Sequence, residues 1–157
     1  MTSVSVMCRA GGPVDEALAQ AQKSPCCKSH RGVVLYHGQG RIVGRGYNAQ
    51  PEPFVCDGSE ECRVNCGKLC VHAEAAAIRD AGDEARGADL VHVKEVRGVL
   101  AVSGPPSCWQ CSREILGAGV ARVWLFHADG WSCYSATEFH DRTLHHCSLL
   151  RSRAHSA

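Results

Sequence analysis

The sequence predicts a layered α/β domain in which the later strands run parallel. Two observations carry this prediction: β-rich segments alternate with helical ones, and a β-hairpin precedes the alternation, an order typical of sheets covered by helices. The chain has 157 residues, the size of one ordinary domain. We therefore expect residues 1–157 to form a single domain, with flexible ends at residues 1–12 and 151–157.

The first predicted elements are a helix, a hairpin and a loop. Residues 14–23 (VDEALAQAQK) place apolar side chains on one face and begin with acidic residues, which predicts a helix. Residues 32–36 and 42–47 are β-rich and are separated by His-Gly-Gln-Gly, which predicts a hairpin. From Asn48 to Leu69 the periodicity is lost and prolines, glycines and cysteines accumulate, so we expect an irregular loop there.

The second half of the chain alternates between helices and strands. Residues 71–81 (VHAEAAAIRDA) are rich in alanine and end at Gly82, which predicts a helix. Residues 90–102 fit either one bulged strand or two short strands around Arg97 and Gly98. The remaining predicted elements are a helix at residues 109–116, a buried strand at 120–126 and a helix at 132–150.

Composition and charge limit the partners and the location of the protein. The formal net charge is only +1, so no strong field directs the whole chain toward nucleic acid or an acidic membrane. No apolar run approaches the roughly 18 residues of a membrane helix, and the N-terminal stretch lacks the features of a signal peptide. We expect a soluble cytoplasmic protein without a membrane partner, whose eleven cysteines serve as metal ligands or buried thiols rather than disulfides.

Two predicted helix starts carry residue types that bind metals. One is CVHAE at residues 70–74 and the other is PPSCWQC at residues 105–111. In the second motif the prolines end a strand and Ser107 is the expected helix N-cap. Cys108 and Cys111 then lie three residues apart on one face of the first turn, where the helix dipole favours thiolates.

Together these motifs predict a catalytic zinc site. Cys108 and Cys111 offer two ligands, His72 is the expected third, and the fourth position can hold a water whose pKa zinc lowers toward about 7. Glu74 points differently on the helix and can move protons between that water, a ring nitrogen and a leaving amine. This is the chemistry of hydrolytic deamination. A redox dithiol is the alternative, but a redox motif should follow a first strand and lack a histidine-glutamate helix.

The two motifs resemble a known family signature. His72-Ala73-Glu74, followed by a proline and Cys108-Trp109-Gln110-Cys111, is similar to the His-x-Glu and Pro-Cys-x-x-Cys signature of zinc deaminases. The resemblance to the cytidine and deoxycytidylate deaminase superfamily covers most of the chain. It implies a three-layer α/β/α sandwich with a mixed sheet of about five strands, a catalytic Zn²⁺ held by His72, Cys108 and Cys111, a catalytic Glu74, and a homo-oligomer.

A softer resemblance concerns the substrate. GYNAQP at residues 46–51 looks like the Gly-Tyr-Asn-Gly-x-Pro loop of deoxycytidylate deaminases, where the asparagine helps to hold the sugar or phosphate. Asn48 is therefore a substrate-binding candidate, although it can also be a turn residue, and Ala73 is a second candidate. A cytosine nucleotide or nucleoside is the leading substrate. Two positions depart from the family: Ser107 separates the proline from Cys108, and Ala76 stands where deoxycytidylate deaminases usually carry asparagine.

The remaining aromatic and histidine residues belong to no clear motif. Trp109 lies beside a predicted ligand and is a substrate-binding candidate, and Tyr134 is also worth testing, although aromatic residues are more often part of a core. No role follows from the sequence for the histidines at positions 92, 127, 140, 145 and 146.

Two other functions stay open from the sequence. One is deamination of a base in single-stranded or flipped DNA or RNA, and the segment around Ala77-Ile78-Arg79 is also reminiscent of tRNA adenosine deaminases. The arginines are scattered, which weakens the electrostatic case for a polynucleotide. The other is a non-catalytic, zinc-stapled binding module.

A second group of cysteines lies in and before the predicted loop. Some deoxycytidylate deaminases carry a second, structural zinc that staples the equivalent loop, and the resemblance implies such a site through Cys26, Cys56, Cys62 and Cys66. A closed four-ligand site would stabilise a segment that has little apolar content. Cys27, His30 and Cys70 are alternative ligands, and reduced, partly buried thiols are the other interpretation.

Overall fold

The computed structural model describes the backbone of residues 3–156 and the side chains of residues 3–148. The helices are α1 (Ser3–Cys8), α2 (Pro13–Gln22), α3 (Glu60–Leu69), α4 (Ala73–Ala81), α5 (Trp109–Gly117) and α6 (Ala136–Ser156), with a short 3-10 helix at Gly82–Ala85. The strands are β1 (His30–His37), β2 (Arg41–Tyr47), β3 (Asp89–Val96), β4 (Val99–Ala101), β5 (Arg122–His127) and β6 (Gly130–Ser135).

The six strands form one mixed sheet in the order β2-β1-β3-β5-β6, with β4 paired to the end of β3. Strand β1 is antiparallel to both β2 and β3, β5 is parallel to β3, and β6 is antiparallel to β5. The predicted hairpin and the predicted parallel pairing are confirmed. Residues 90–102 prove to contain two strands, because the chain reverses at Arg97 and Gly98, where φ is 53° and 79°.

Helices cover both faces of the sheet, which confirms the predicted three-layer α/β/α sandwich. On one face, α4, α5 and α6 pack over a cluster that includes Val33 and Ile115. On the other face, α1 and α2 pack over a cluster that includes Met7 and Ala17. Burial of these apolar surfaces is the main force that stabilises the layers.

A small residue brings helix α4 close to the sheet. Gly46 lies in β2 under α4, and a Cβ built on it would be 2.5 Å from the carbonyl oxygen of Ala73 and 2.9 Å from the Cβ of Ala76. Any larger residue at position 46 would meet backbone atoms of the helix. The glycine therefore sets the height at which the start of α4 sits above the sheet.

The predicted irregular loop at residues 48–69 is partly wrong, because Glu60–Leu69 form helix α3. No residue of α3 is buried, so no apolar periodicity marks it in the sequence. Its sequence signals are at the N-terminus. The Ser59 hydroxyl accepts a hydrogen bond from the Cys62 N–H at 3.0 Å, and two glutamates occupy the first turn. These are features of a capped helix.

The predicted helix start at residue 132 is also wrong, because residues 130–135 form β6. The chain turns after β5 at Ala128-Asp129 and enters Gly130 with φ 115°. It then pairs with β5 from Phe126↔Trp131 to Arg122↔Ser135. A turn ending in Asp-Gly after a buried strand is a hairpin signal.

The chain ends were expected to be flexible at residues 1–12 and 151–157. In the structure, Ser3–Cys8 form helix α1 and Met7 is fully buried. The backbone of residues 151–156 belongs to helix α6, whereas Ala157 and the side chains from residue 149 onward lie outside the described part of the chain. No helix within the described residues is both long enough and apolar enough to cross a bilayer.

Candidate metal centre and active site

Three predicted metal ligands meet between the starts of two helices. His72 is the N-cap of α4 and Cys108 is the N-cap of α5, with Cys111 one turn into α5. The Nδ1 atom of His72 lies 3.1 Å from the Sγ atom of Cys111 and 3.4 Å from that of Cys108. The two Sγ atoms are 3.0 Å apart.

The helix cap differs from the predicted one. Ser107 was expected to cap α5, but the Sγ atom of Cys108 accepts the hydrogen bond from the Cys111 N–H at 3.3 Å. A thiolate at this position acts as the N-cap, and its negative charge interacts favourably with the positive N-terminal end of the helix dipole. Ser107 lies outside the helix, immediately before its N-cap Cys108.

The donor set fits Zn²⁺. Two thiolates and one imidazole are ligands that zinc prefers. Among the described residues, His72, Cys108 and Cys111 form the only group of three or more histidine, cysteine or acidic residues whose ligand atoms all lie within 4.8 Å of one another. A tetrahedral zinc with bonds of about 2.0–2.3 Å would hold such atoms roughly 3.5–3.8 Å apart. To reach that geometry, the distances from His72 to the two thiols would lengthen by less than about 0.5 Å, and the distance between the two Sγ atoms by about 0.8 Å.

The electrostatics of the two thiols favour the binding of a cation. The hydrogen bond from Cys111 lowers the pKa of Cys108 to about 5, against the effect of burial and with support from His72. The pKa of Cys111 is raised, first by its hydrogen bond to Cys108 and then by burial and by the Glu74 carboxylate. One of the two cysteines is therefore stable as a thiolate without a bound cation, whereas ionisation of the second thiol requires a cation.

Glu74 lies beside the three candidate metal ligands but is not one of them. Its Oε2 atom is 3.7 Å from the Sγ of Cys111, and its Oε1 atom is 3.8 Å from the Nδ1 of His92. Burial raises the pKa of the Glu74 carboxyl, but His92, the backbone N–H of Glu74, His72 and Arg31 outweigh burial and lower it. The carboxylate is therefore charged near neutral pH and can accept a proton.

A cavity of about 760 Å³ opens onto this group. This volume is within the range of sites that hold small molecules. Its lining includes His72, Ala73, Glu74, Cys108 and Cys111 at the base. Basic side chains also line it, namely Lys28, Arg31 and Arg63.

The substrate-binding candidates have different surroundings. Asn48 is buried and lines the cavity, but its Oδ1 atom accepts from the Arg31 N–H at 2.8 Å and its Nδ2 donates to the Ser29 carbonyl at 2.9 Å. Its amide thus holds the start of β1. Ala73 is fully buried at the cavity base. Trp109 is 43% exposed, does not line the cavity and lies under the Arg113 guanidinium at 5.1 Å.

The second cysteine group is only partly assembled. The Sγ atoms of Cys56 and Cys62 are 3.5 Å apart, and Cys26 and Cys66 line the same cavity wall. No three of these four Sγ atoms, all in the described part of the chain, lie within 4.8 Å of one another, unlike the ligand atoms of His72, Cys108 and Cys111. The structure therefore brings together one pair of the predicted second site.

Sequence reasoning missed His92 and Arg31, which both line the cavity. His92 lies in β3, opposite Val33 of β1 and Leu125 of β5, and therefore on the face of the sheet that α4 covers. The one available signal was a histidine inside an otherwise apolar strand segment, Leu-Val-His-Val. No local motif connects it to Glu74, because the contact depends on how α4 packs on the sheet.

Comparison with known proteins gives a consistent picture. The family described as the cytidine and deoxycytidylate deaminase zinc-binding region matches residues 13–127. A deoxycytidylate deaminase of Schizosaccharomyces pombe is 32% identical over an alignment of 124 residues that covers 73% of this chain and 35% of that protein. The chain thus spans about a third of the length of this curated relative.

Two solved structures share the fold. One is the dCMP deaminase from cyanophage S-TIM5 in complex with dCMP and dUMP, with a TM-score of 0.52 and 24% identity over 69% of this chain and 74% of that one. The other is the cytidine deaminase from Burkholderia pseudomallei, with a TM-score of 0.58 and 19% identity over 88% of this chain and 96% of that one. At these identities the likeness concerns the fold.

Proposed function

The chain belongs to the cytidine and deoxycytidylate deaminase family, and from this premise we propose that it is a zinc-dependent hydrolytic deaminase of a cytosine nucleotide or nucleoside. The observation that carries the proposal is the group of His72, Cys108 and Cys111 with Glu74 beside it at the base of a cavity. His72, Cys108 and Cys111 are the residues that hold the zinc. Zinc bound by such ligands makes water acidic enough to be a nucleophile near neutral pH.

Glu74 is the catalytic acid and base. Its carboxylate is charged near neutral pH, for the reasons given above, so it can accept a proton from the attacking water. It passes this proton to the ring nitrogen, and then transfers the second proton, taken from the hydroxyl group of the addition product, to the amine that leaves as ammonia. Its low exposure, 13% for the side chain, keeps bulk water from competing for that proton.

Two observations support a nucleotide as the substrate. Lys28, Arg31 and Arg63 line the cavity, and cationic side chains are the usual partners of a phosphate group. The related S-TIM5 enzyme was solved with dCMP and dUMP bound. A nucleoside remains the alternative among small substrates. The expected homo-oligomer and cytoplasmic location stay predictions.

The test measures ammonia release from a panel that contains cytosine, cytidine, deoxycytidine, their monophosphates, and adenine and guanine compounds. A single-stranded oligonucleotide is added to the panel. We expect turnover of a cytosine monophosphate. Turnover of the oligonucleotide alone would replace the proposal with deamination of a polynucleotide, and no turnover of any compound by zinc-loaded protein would favour a binding module.

Glu74→Gln is the variant that tests the mechanism. General acid-base groups contribute at least about 100-fold to rate, so we expect a loss of that size with the zinc content unchanged. Glu114→Gln is the matched control, because Glu114 is an exposed residue of α5 outside the cavity lining. Retained turnover in Glu74→Gln would contradict the assigned role.

A second, structural zinc at Cys26, Cys56, Cys62 and Cys66 is also proposed. The proximity of Cys56 and Cys62 and the position of the other two on the same cavity wall support it. Fully loaded protein should then contain two zinc ions per chain, and Cys56→Ser with Cys62→Ser should contain one. One zinc per chain in the unmodified protein would remove this site.

A further inference from the structure

His92 is an unusual residue for its place in the fold. It lies in the central strand β3, and its neighbours across the sheet, Val33 and Leu125, are both part of the apolar cluster under α4. Its side chain is only 12% exposed. A buried polar ring on an apolar face costs free energy unless it has a polar partner.

The partner that the ring faces is the carboxylate of Glu74. The two oxygens of Glu74 are divided between two neighbours: Oε1 faces Nδ1 of His92 at 3.8 Å, and Oε2 faces Sγ of Cys111 at 3.7 Å. His92 and Cys111 therefore face different oxygens of the same carboxylate. The distance to Nδ1 is longer than a hydrogen bond, so the contact acts through polarity and packing.

We propose that His92 is a positioning residue that holds the Glu74 carboxylate turned toward the metal ligands. This inference rests on the proposed deaminase function. An apolar side chain at position 92 would remove the polar group that Oε1 faces, and a buried carboxylate oxygen that loses a polar neighbour is disfavoured. The carboxylate would then rotate toward the open cavity and away from the thiols. Misplacement of a catalytic group by about 1 Å can lower the rate by about 100-fold.

The geometry also indicates which substitution of His92 should preserve the position of the Glu74 carboxylate. The atom that faces Glu74 is Nδ1, which is bonded to Cγ of the imidazole, and the amide nitrogen of asparagine is bonded to Cγ in the same way. The amide nitrogen of glutamine lies one carbon further out, near the place of Nε2. His92→Asn should therefore restore the function better than His92→Gln, although glutamine is the closer match in size.

The experiment compares zinc-loaded His92→Leu, His92→Asn and His92→Gln. His145→Leu is the control, since His145 is an exposed residue of α6 outside the catalytic cavity. We expect kcat to fall about 10- to 100-fold in His92→Leu with a smaller change in KM, to recover in His92→Asn and to recover less in His92→Gln. Zinc content should be the same in all variants.

A readout independent of turnover is the position of Glu74 in crystal structures of the same variants. The carboxylate should keep its place in His92→Asn and leave it in His92→Leu. An unmoved Glu74 in His92→Leu, or equal losses of kcat in the asparagine and leucine variants, would overturn the inference. If His92→Leu does not fold, the kcat values of His92→Asn and His92→Gln test the inference instead. A kcat no higher in His92→Asn than in His92→Gln would then overturn it. If the unmodified protein deaminates nothing, the proposed function fails, and the crystallographic positions alone decide the role of His92.

Discussion

Replacing Gly46 by alanine should loosen the start of helix α4 and weaken the metal centre. The backbone of Gly46 has no positive φ, so the substitution adds a methyl group without adding conformational strain. That methyl group would lie 2.5 Å from the Ala73 carbonyl oxygen and 2.9 Å from the Ala76 Cβ. The Ala73 carbonyl is part of the helix backbone and cannot rotate away, so α4 must lift from β2.

The expected cost follows from known effects of overpacking. Extra methyl groups in a tightly packed core cost about 1–3 kcal/mol, which for a chain of this length lowers Tm by roughly 2–12 °C. Because His72 is the N-cap of the same helix, zinc affinity should also fall about tenfold or more. Thermal unfolding followed by circular dichroism and zinc competition against a chelating dye measure the two effects.

Gly117→Ala is the matched control for this substitution. Gly117 is at the end of α5, has no positive φ, and a Cβ on it meets no atom within 4 Å. The substitution should be neutral or stabilise the protein by up to about 1 kcal/mol. If Gly46→Ala behaved like Gly117→Ala in both assays, the close approach of α4 to β2 would not be what positions His72.

Two further predictions concern the loop beside the site. Asn48→Ala should lower the free energy of unfolding by about 1–3 kcal/mol in total, because the partly buried N–H of Arg31 and carbonyl of Ser29 each lose a hydrogen bond worth about 0.5–1.5 kcal/mol; a change below about 0.5 kcal/mol in urea unfolding would show that the amide is free to serve a ligand instead. In metal-free protein at pH 7, Cys56 should react with iodoacetamide before Cys8, because backbone N–H groups and the Cys62 thiol lower the pKa of Cys56 to about 7, whereas burial raises that of Cys8. The rate should fall as the pH drops below 7, since the thiolate is the reactive form; mass spectrometry of labelled peptides follows the order, and earlier labelling of Cys8 would contradict it.

Local patterns in the sequence predicted much of the fold. The helices near residues 14–23, 71–81 and 109–116 show periodicity and end signals that require no knowledge of the rest of the chain. The two errors have different causes. Helix α3 buries no residue, so its apolar pattern is absent, and β6 exists because the exposed edge of β5 offers it backbone partners.

The residue types of the candidate metal centre were also readable from the sequence, because His72, Glu74, Cys108 and Cys111 occur in two short motifs whose chemistry depends on spacing. Which groups surround them was decided by tertiary structure alone. His92 reaches Glu74 through the packing of α4 on the sheet, and the Asn48 amide is used to hold β1. A motif specifies ligands that are neighbours along one helix, whereas the neighbours of a buried carboxylate come from strands far apart in the chain and meet it only when the sheet is assembled.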